Sequence, residues 1–197
     1  MNPRTLFIPL ILLTISSNAQ VIQERIQNQI KVLKQSKVDT FLIYSLTCNG
    51  RLPALDSCSY EESQYLFWVR NSNSYVQKFD YCKNYSSLAL DTLNTFLFFL
   101  ANRIQIEKEK IKMPTYIKSK KGNVVDKVVS LVDHDCFNEI SFHIKNELIH
   151  KTVSEYDLNF EKFDNGRKNI YYNYNQSTKL KRLIDLINNS LSKNDLK

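Results

Sequence analysis

Glycine occurs only three times in this chain of 197 residues, at Gly50, Gly122 and Gly166, and no two of them fall within forty positions of each other. A Rossmann fingerprint, a P-loop and a G-x-S-x-G nucleophile elbow each need at least two glycines within a few residues, so none of them can form. Each glycine adjoins an asparagine, as Asn49-Gly50, Gly122-Asn123 and Asn165-Gly166. Both residue types tolerate positive φ, which commits the three pairs to chain reversal rather than to cradling a phosphate. With 43% hydrophobic and 24% charged residues the chain is neither collagen-like nor low-complexity. Its length suits a single domain with its own core.

The first twenty residues, MNPRTLFIPLILLTISSNAQ, place one positive charge at Arg4 before an apolar stretch from Leu6 to Ile15. Ser17 and Ala19 then occupy the −3 and −1 positions of a cleavage site. This pattern reads as a secretory signal peptide, residues 1–19, whose apolar core is too short to span a bilayer. The remaining residues, 20–197, form the expected single domain. No later apolar run approaches a membrane span, the longest being Phe96 to Ala101. The expected product is secreted or periplasmic, with no transmembrane span in the mature chain.

Export changes the reading of Cys48, Cys58, Cys82 and Cys136. An even set of cysteines in an oxidising compartment implies two disulfides, and three pairings are open. The expectation is Cys48–Cys58 closing a local loop, with Cys82–Cys136 as the long-range cross-link. A zinc site is the rival, but no C-x-x-C spacing exists.

Hydrophobic periodicity supplies the elements. Ile22, Ile26, Ile30 and Leu33 form one stripe of an opening helix over Val21–Gln35. Val38–Leu46 is β-branched, aromatic and short, as a buried strand is. Tyr65–Arg70 and Tyr75–Tyr81 flank a four-residue connection, Asn71–Ser74, in a predicted hairpin. A long helix follows, capped at Ser86, Ser87 or Asp91 and ending before Pro114, with Leu93, Leu97, Leu100, Ile104 and Ile111 as its stripe. Val124–Val153 is ambiguous between helix and strand. A hairpin turning at Asn146-Glu147, with His143 opposite His150, puts Ile140, Phe142, Ile144, Ile149 and Val153 on one face, leaving Lys151 as the exception. Tyr156–Glu161 and Lys168–Tyr174 alternate as strands about Asp164-Asn165-Gly166, and Ser177 or Thr178 caps a final helix with Leu180, Leu183, Ile184, Ile187 and Leu191 inside. The predicted fold is α+β: one domain, an antiparallel hairpin-rich sheet packed with two or three helices.

Candidate sites are few, and no residue is singled out as catalytic. His134, His143 and His150 lie among Asp133, Asp135, Glu139 and Glu147. A cross-strand His143/His150 pair offers two imidazole ligands, which is short of a metal site. Asp133-His134-Asp135 reads as a turn, because it lacks the ligand count that calcium needs. Tyr171, Tyr172 and Tyr174, interleaved with asparagines, form a candidate ligand surface that could stack on a sugar or a peptide. No cofactor motif and no nucleic-acid motif accompanies the formal charge of +7. In an exported protein that charge suits an anionic envelope polymer, a membrane surface or another exported protein. The expected function is a non-enzymatic binding or structural module whose sheet face or edge meets a partner. The alternative is a small metal-assisted hydrolase using the His134–His150 region.

Overall fold

Four consecutive side chains, Tyr65, Leu66, Phe67 and Trp68, are buried. A strand alternates its side chains between two faces, so both faces of this one must be covered. The computed structural model of the chain describes residues 17–49, 63–80, 82–83, 85–90, 94–121 and 124–196. In chain order it contains α1 (Ser17–Gln35), β1 (Thr40–Cys48), β2 (Gln64–Arg70), β3 (Asn73–Phe79), β4 (Leu88–Leu90), α2 (Asn94–Lys108), β5 (Thr115–Lys121), β6 (Val124–Val129), β7 (Cys136–Ile144), β8 (Glu147–Ser154), α3 (Glu155–Asn159), α4 (Tyr172–Ser177) and α5 (Lys179–Lys193). Six strands form an antiparallel sheet in the order β4-β3-β2-β1-β7-β8, and β5 and β6 pair separately. This is the predicted α+β architecture. The predicted signal peptide lies largely outside the described residues, and its cleavage point after Ala19 falls within the first turn of α1.

One face of the sheet carries α1. Ile22, Ile26, Ile30 and Leu33 bury against Phe41, Leu66, Trp68 and Phe79. The opposite face carries the larger core, where Leu42, Tyr44, Phe67, Val76, Ile140 and Phe142 meet residues of α2 and α5. In α5 the five buried residues are Leu180, Leu183, Ile184, Ile187 and Leu191, as their helical spacing predicts, and the Thr178 hydroxyl accepts the Lys181 N–H at its start. The buried Tyr44 hydroxyl ties the layers together: it donates to Asn138 Oδ1 on β7 at 2.7 Å and stands 3.2 Å from Asn188 Oδ1 on α5.

Several expectations change. The long helix from residue 86 gives way to β4 and a shorter α2. The buried face of α2 is Phe96, Phe99 and Ile106, while Leu97, Leu100 and Ile104 are exposed. Those two sets lie on different sides of the same helix, and the aromatic rings win the core because Phe96 and Phe99 both contact Phe142. The β2–β3 connection has two residues, Asn71 and Ser72, both at positive φ, as hairpin twist favours.

Where strands are predicted around Gly166 the chain forms α3 and α4, which are tied together by Asn175 and Gln176 donating to the oxygens of Asp157 and Leu158. The predicted ladder is reduced to an isolated bridge between Lys162 and Lys168. The turn itself is present, with Gly166 at φ 82°. The rings of Tyr156 in α3 and of Phe160 at its C-terminal cap, four residues apart, meet at 4.7 Å with their planes tilted by 45°. The Ser154 hydroxyl accepts the Asp157 N–H at the start of that helix.

The disulfide pairing also changes. Cys48 and Cys136 are joined to each other across the β1–β7 ladder, where they are register partners. The expected Cys48–Cys58 and Cys82–Cys136 bonds are therefore excluded. Cys82 is itself disulfide-bonded, and Cys58 lies outside the described residues.

Candidate functional site

The β7–β8 hairpin ends the large sheet, with β8 as its last strand. A two-residue turn, Lys145-Asn146, with Lys145 at φ 53°, pairs Ile144 with Glu147. The expected turn at Asn146-Glu147 is thus displaced, and the register places His143 opposite Leu148 and His150 opposite Ser141. The two histidines are diagonal neighbours on one face rather than a direct pair. Hydrogen-bonded and non-bonded pairs alternate away from such a turn. Leu148, His150, Thr152 and Ser154 then fall at non-bonded positions, with their main-chain N–H and C=O groups directed away from β7. Among the described residues no strand pairs with that outer side of β8.

Two adjoining clefts follow this edge. One, of about 500 Å³, lies between Glu147–Lys151 and the side chains of Arg103 and Glu107 on α2. The other, of about 340 Å³, lies between residues 150–154 and a wall that includes Glu109, Ile111, Asp157 and Leu180. Consecutive strand residues point to opposite faces, so a cleft lined by an unbroken run of them lies along the strand's edge.

The charged groups around these clefts are already organised. Arg103 pairs with Glu107 on its own helix at 2.7 Å and with Glu147 on β8. The Lys151 ammonium donates to the main-chain oxygens of Glu107 and Glu109, at the end of α2 where a cation complements the helix dipole. Burial holds the Lys151 pKa below its ordinary value, against the opposing charges of Glu107 and Glu109. This explains why a lysine interrupts the apolar face of the hairpin. The Glu109 carboxylate accepts the N–H groups of Lys179 and Leu180, capping α5. Burial, then the charge of Asp135, raises the Asp157 carboxyl above the usual range at the rim of the second cleft.

Asp135 serves the backbone: its carboxylate accepts from the N–H groups of Cys136 and Tyr156 and from the Ser154 hydroxyl. Its neighbours Asp133 and His134 are exposed beside it in a bend. The His150 ring engages the hydroxyls of Ser141 at 2.9 Å and Thr152 at 3.2 Å. His143 stacks on Phe41 at 4.5 Å. Among the described residues no group of three or more His, Cys, Asp or Glu side chains is placed to hold a metal ion.

Partial burial, then the positive charge of Lys34, lowers the His143 pKa below its ordinary value. The unfolded chain therefore takes up this proton at a higher pH than the folded one. The stability that the neutral ring contributes is present above the unfolded value, about 6.5, and is lost as pH falls from there towards the folded value. The urea midpoint is expected to drop between pH 7 and pH 5, and His143→Phe, which keeps a ring on Phe41, should flatten that drop. An identical pH dependence in the variant would exclude His143 as the cause.

The tyrosine surface is built differently from its expected form. Tyr171 precedes α4, and Tyr172 and Tyr174 lie within it. The Lys112 ammonium sits over the rings of both Tyr171 and Tyr174, at 4.7 and 4.5 Å. These rings hold a lysine of the same chain.

Two buried asparagines were not anticipated. Asn175 accepts from Lys112 N and donates to the oxygens of Lys112 and Asp157. Asn169 accepts from Thr115 N and Tyr171 N and donates to Phe160 O. Only their position in an aromatic, low-charge stretch hinted at burial.

No protein-family model matches the chain, and neither does any curated protein or solved structure. Among the described residues no helix is long and apolar enough to cross a membrane.

Proposed function

We propose that this protein is an exported, non-enzymatic binding module that takes an extended segment of another exported protein as an added strand on β8. The observation that carries the reading is the pair of clefts running along the outer edge of an eight-residue strand. Main-chain groups at such an edge give affinity to any extended peptide, and alternate side-chain pockets give selectivity. The opposite edge of the sheet, β4, has only three residues, a length that discourages pairing. Export rests on the signal-peptide pattern of residues 1–19, and disulfide bonding is compatible with it.

Selection from a random peptide display library against the purified protein tests this reading. Selected peptides should slow amide exchange at Leu148, His150, Thr152 and Ser154. Thr152→Pro removes one outward N–H without touching the β7 ladder, since proline is tolerated at outward positions of edge strands. That variant should keep the wild-type circular dichroism and lose peptide affinity at least tenfold. Peptides that protect some other surface, or bind the proline variant equally well, would overturn the proposal.

A further inference from the structure

The separate hairpin β5–β6 has two unlike faces. Its register pairs Thr115 with Val129, Tyr116 with Val128, Ile117 with Lys127, Ser119 with Asp126 and Lys120 with Val125, with an irregularity between Ile117 and Ser119. The Tyr116 side is held by the body of the protein: its ring meets Phe163 edge-on at 4.7 Å and lies under the Arg167 guanidinium at 4.9 Å. Arg167 also donates to the oxygens of Ile117 and Lys118, where the ladder is irregular. The root is fixed by Ile170 N to Thr115 O and by Ser130 N to Pro114 O, both at 2.9 Å.

The other face holds Ile117, Val125 and Val129, which are 45%, 39% and 47% exposed. Lys120 and Lys127 stand directly across from Val125 and Ile117 on the same face. Beyond Val129 the chain continues into Leu131, which is 79% exposed. Between Thr115 and Val129 there are four lysines, Lys118, Lys120, Lys121 and Lys127, against one acid, Asp126. A β-branched apolar patch with a rim of cations, turned away from the core, is an arrangement that water does not favour.

We infer that this hairpin face is a peripheral docking surface for a bilayer carrying anionic headgroups, with Ile117, Val125 and Val129 entering the interface and Lys120 and Lys127 meeting the headgroups. Charge complementarity identifies the sign of the partner. The apolar side chains between the lysines favour a bilayer over a soluble polyanion, which offers them nothing to enter. This surface is distinct from the β8 edge and does not depend on the reading proposed for it.

Sedimentation of the purified protein with phosphatidylcholine vesicles, with and without phosphatidylglycerol, tests the inference. Binding is expected only where phosphatidylglycerol is present, and it should weaken as salt rises. The pair Lys120→Glu and Lys127→Glu should reduce binding at least tenfold, and so should the pair Ile117→Thr and Val125→Thr. Both pairs keep residues compatible with an exposed strand, and circular dichroism checks the fold of each. Failure to bind phosphatidylglycerol vesicles, or equal binding to neutral ones, would overturn the inference. So would retained binding by the threonine variant, which would instead identify an anionic polymer as the partner, to be confirmed with soluble polyphosphate.

Discussion

Replacing Cys48 and Cys136 together by alanine is expected to lower the unfolding free energy by about 4 kcal/mol. The bond joins residues 88 positions apart, so it removes a large part of the freedom of the unfolded chain, whose loop-closure entropy grows with the logarithm of loop length. The native ladder changes little without it, because the two cysteines are already register partners at the ends of β1 and β7. Asn49 N continues the pairing beyond them to Asp135 O at 2.9 Å. The loss should therefore come with a steeper dependence on denaturant, since an unfolded chain without the cross-link exposes more surface. Urea titration of both proteins under non-reducing conditions measures it, and peptide mapping identifies the bond. A loss below about 1 kcal/mol would show that the cross-link adds little to the fold.

The second large effect is expected at Phe142. This ring is 2% exposed; it stacks on Phe99 at 3.4 Å and meets Phe96 edge-on at 6.4 Å. It therefore joins the middle of β7 to the buried face of α2. Phe142→Ala loses the transfer free energy of the ring and leaves a cavity beneath a helix that cannot fully collapse, at a cost of about 3–5 kcal/mol. Leu97→Ala on the same helix is the control. Leu97 is 57% exposed, and its truncation should stay within about 0.5 kcal/mol. Equal losses from the two variants would mean that α2 presents its leucine stripe to the core instead.

That contrast shows where periodicity stops being informative. Ile22, Ile26, Ile30 and Leu33 lie among polar residues, so only one face of α1 can be buried, and it is. The same holds for the stripe of α5. In α2 the run Phe96-Leu97-Phe98-Phe99-Leu100 is apolar on every side, which leaves the buried face undetermined until the sheet chooses one. The β7–β8 hairpin lies between these cases. Its register differs from the expected pairing by two residues, and a slip of two preserves which face each side chain occupies. Ile140, Phe142 and Val153 are accordingly buried, although His143 and His150 no longer stand opposite each other. Lys151, the exception on that face, has its ammonium at the end of α2, a partner that no local pattern contains.

The candidate site was less legible than the fold. A sheet edge carries its chemistry in main-chain groups, which every residue possesses, so no motif announces it. The tyrosines were visible as a cluster, but their alternation with asparagine suits a strand and a short helix equally well. The helix is selected by Asn169 and Asn175, whose amides bond to main-chain atoms 54 and 63 positions away.

From its sequence alone this protein is bound to form an α+β domain without a glycine-built nucleotide cradle, because glycine spacing and side-chain periodicity are local properties. Tertiary structure alone decided which cysteines pair, which side of α2 is buried, and which strand keeps an open edge. Each of those depends on which distant segments meet, and the free energy that selects the meeting comes from shared burial rather than from any one segment.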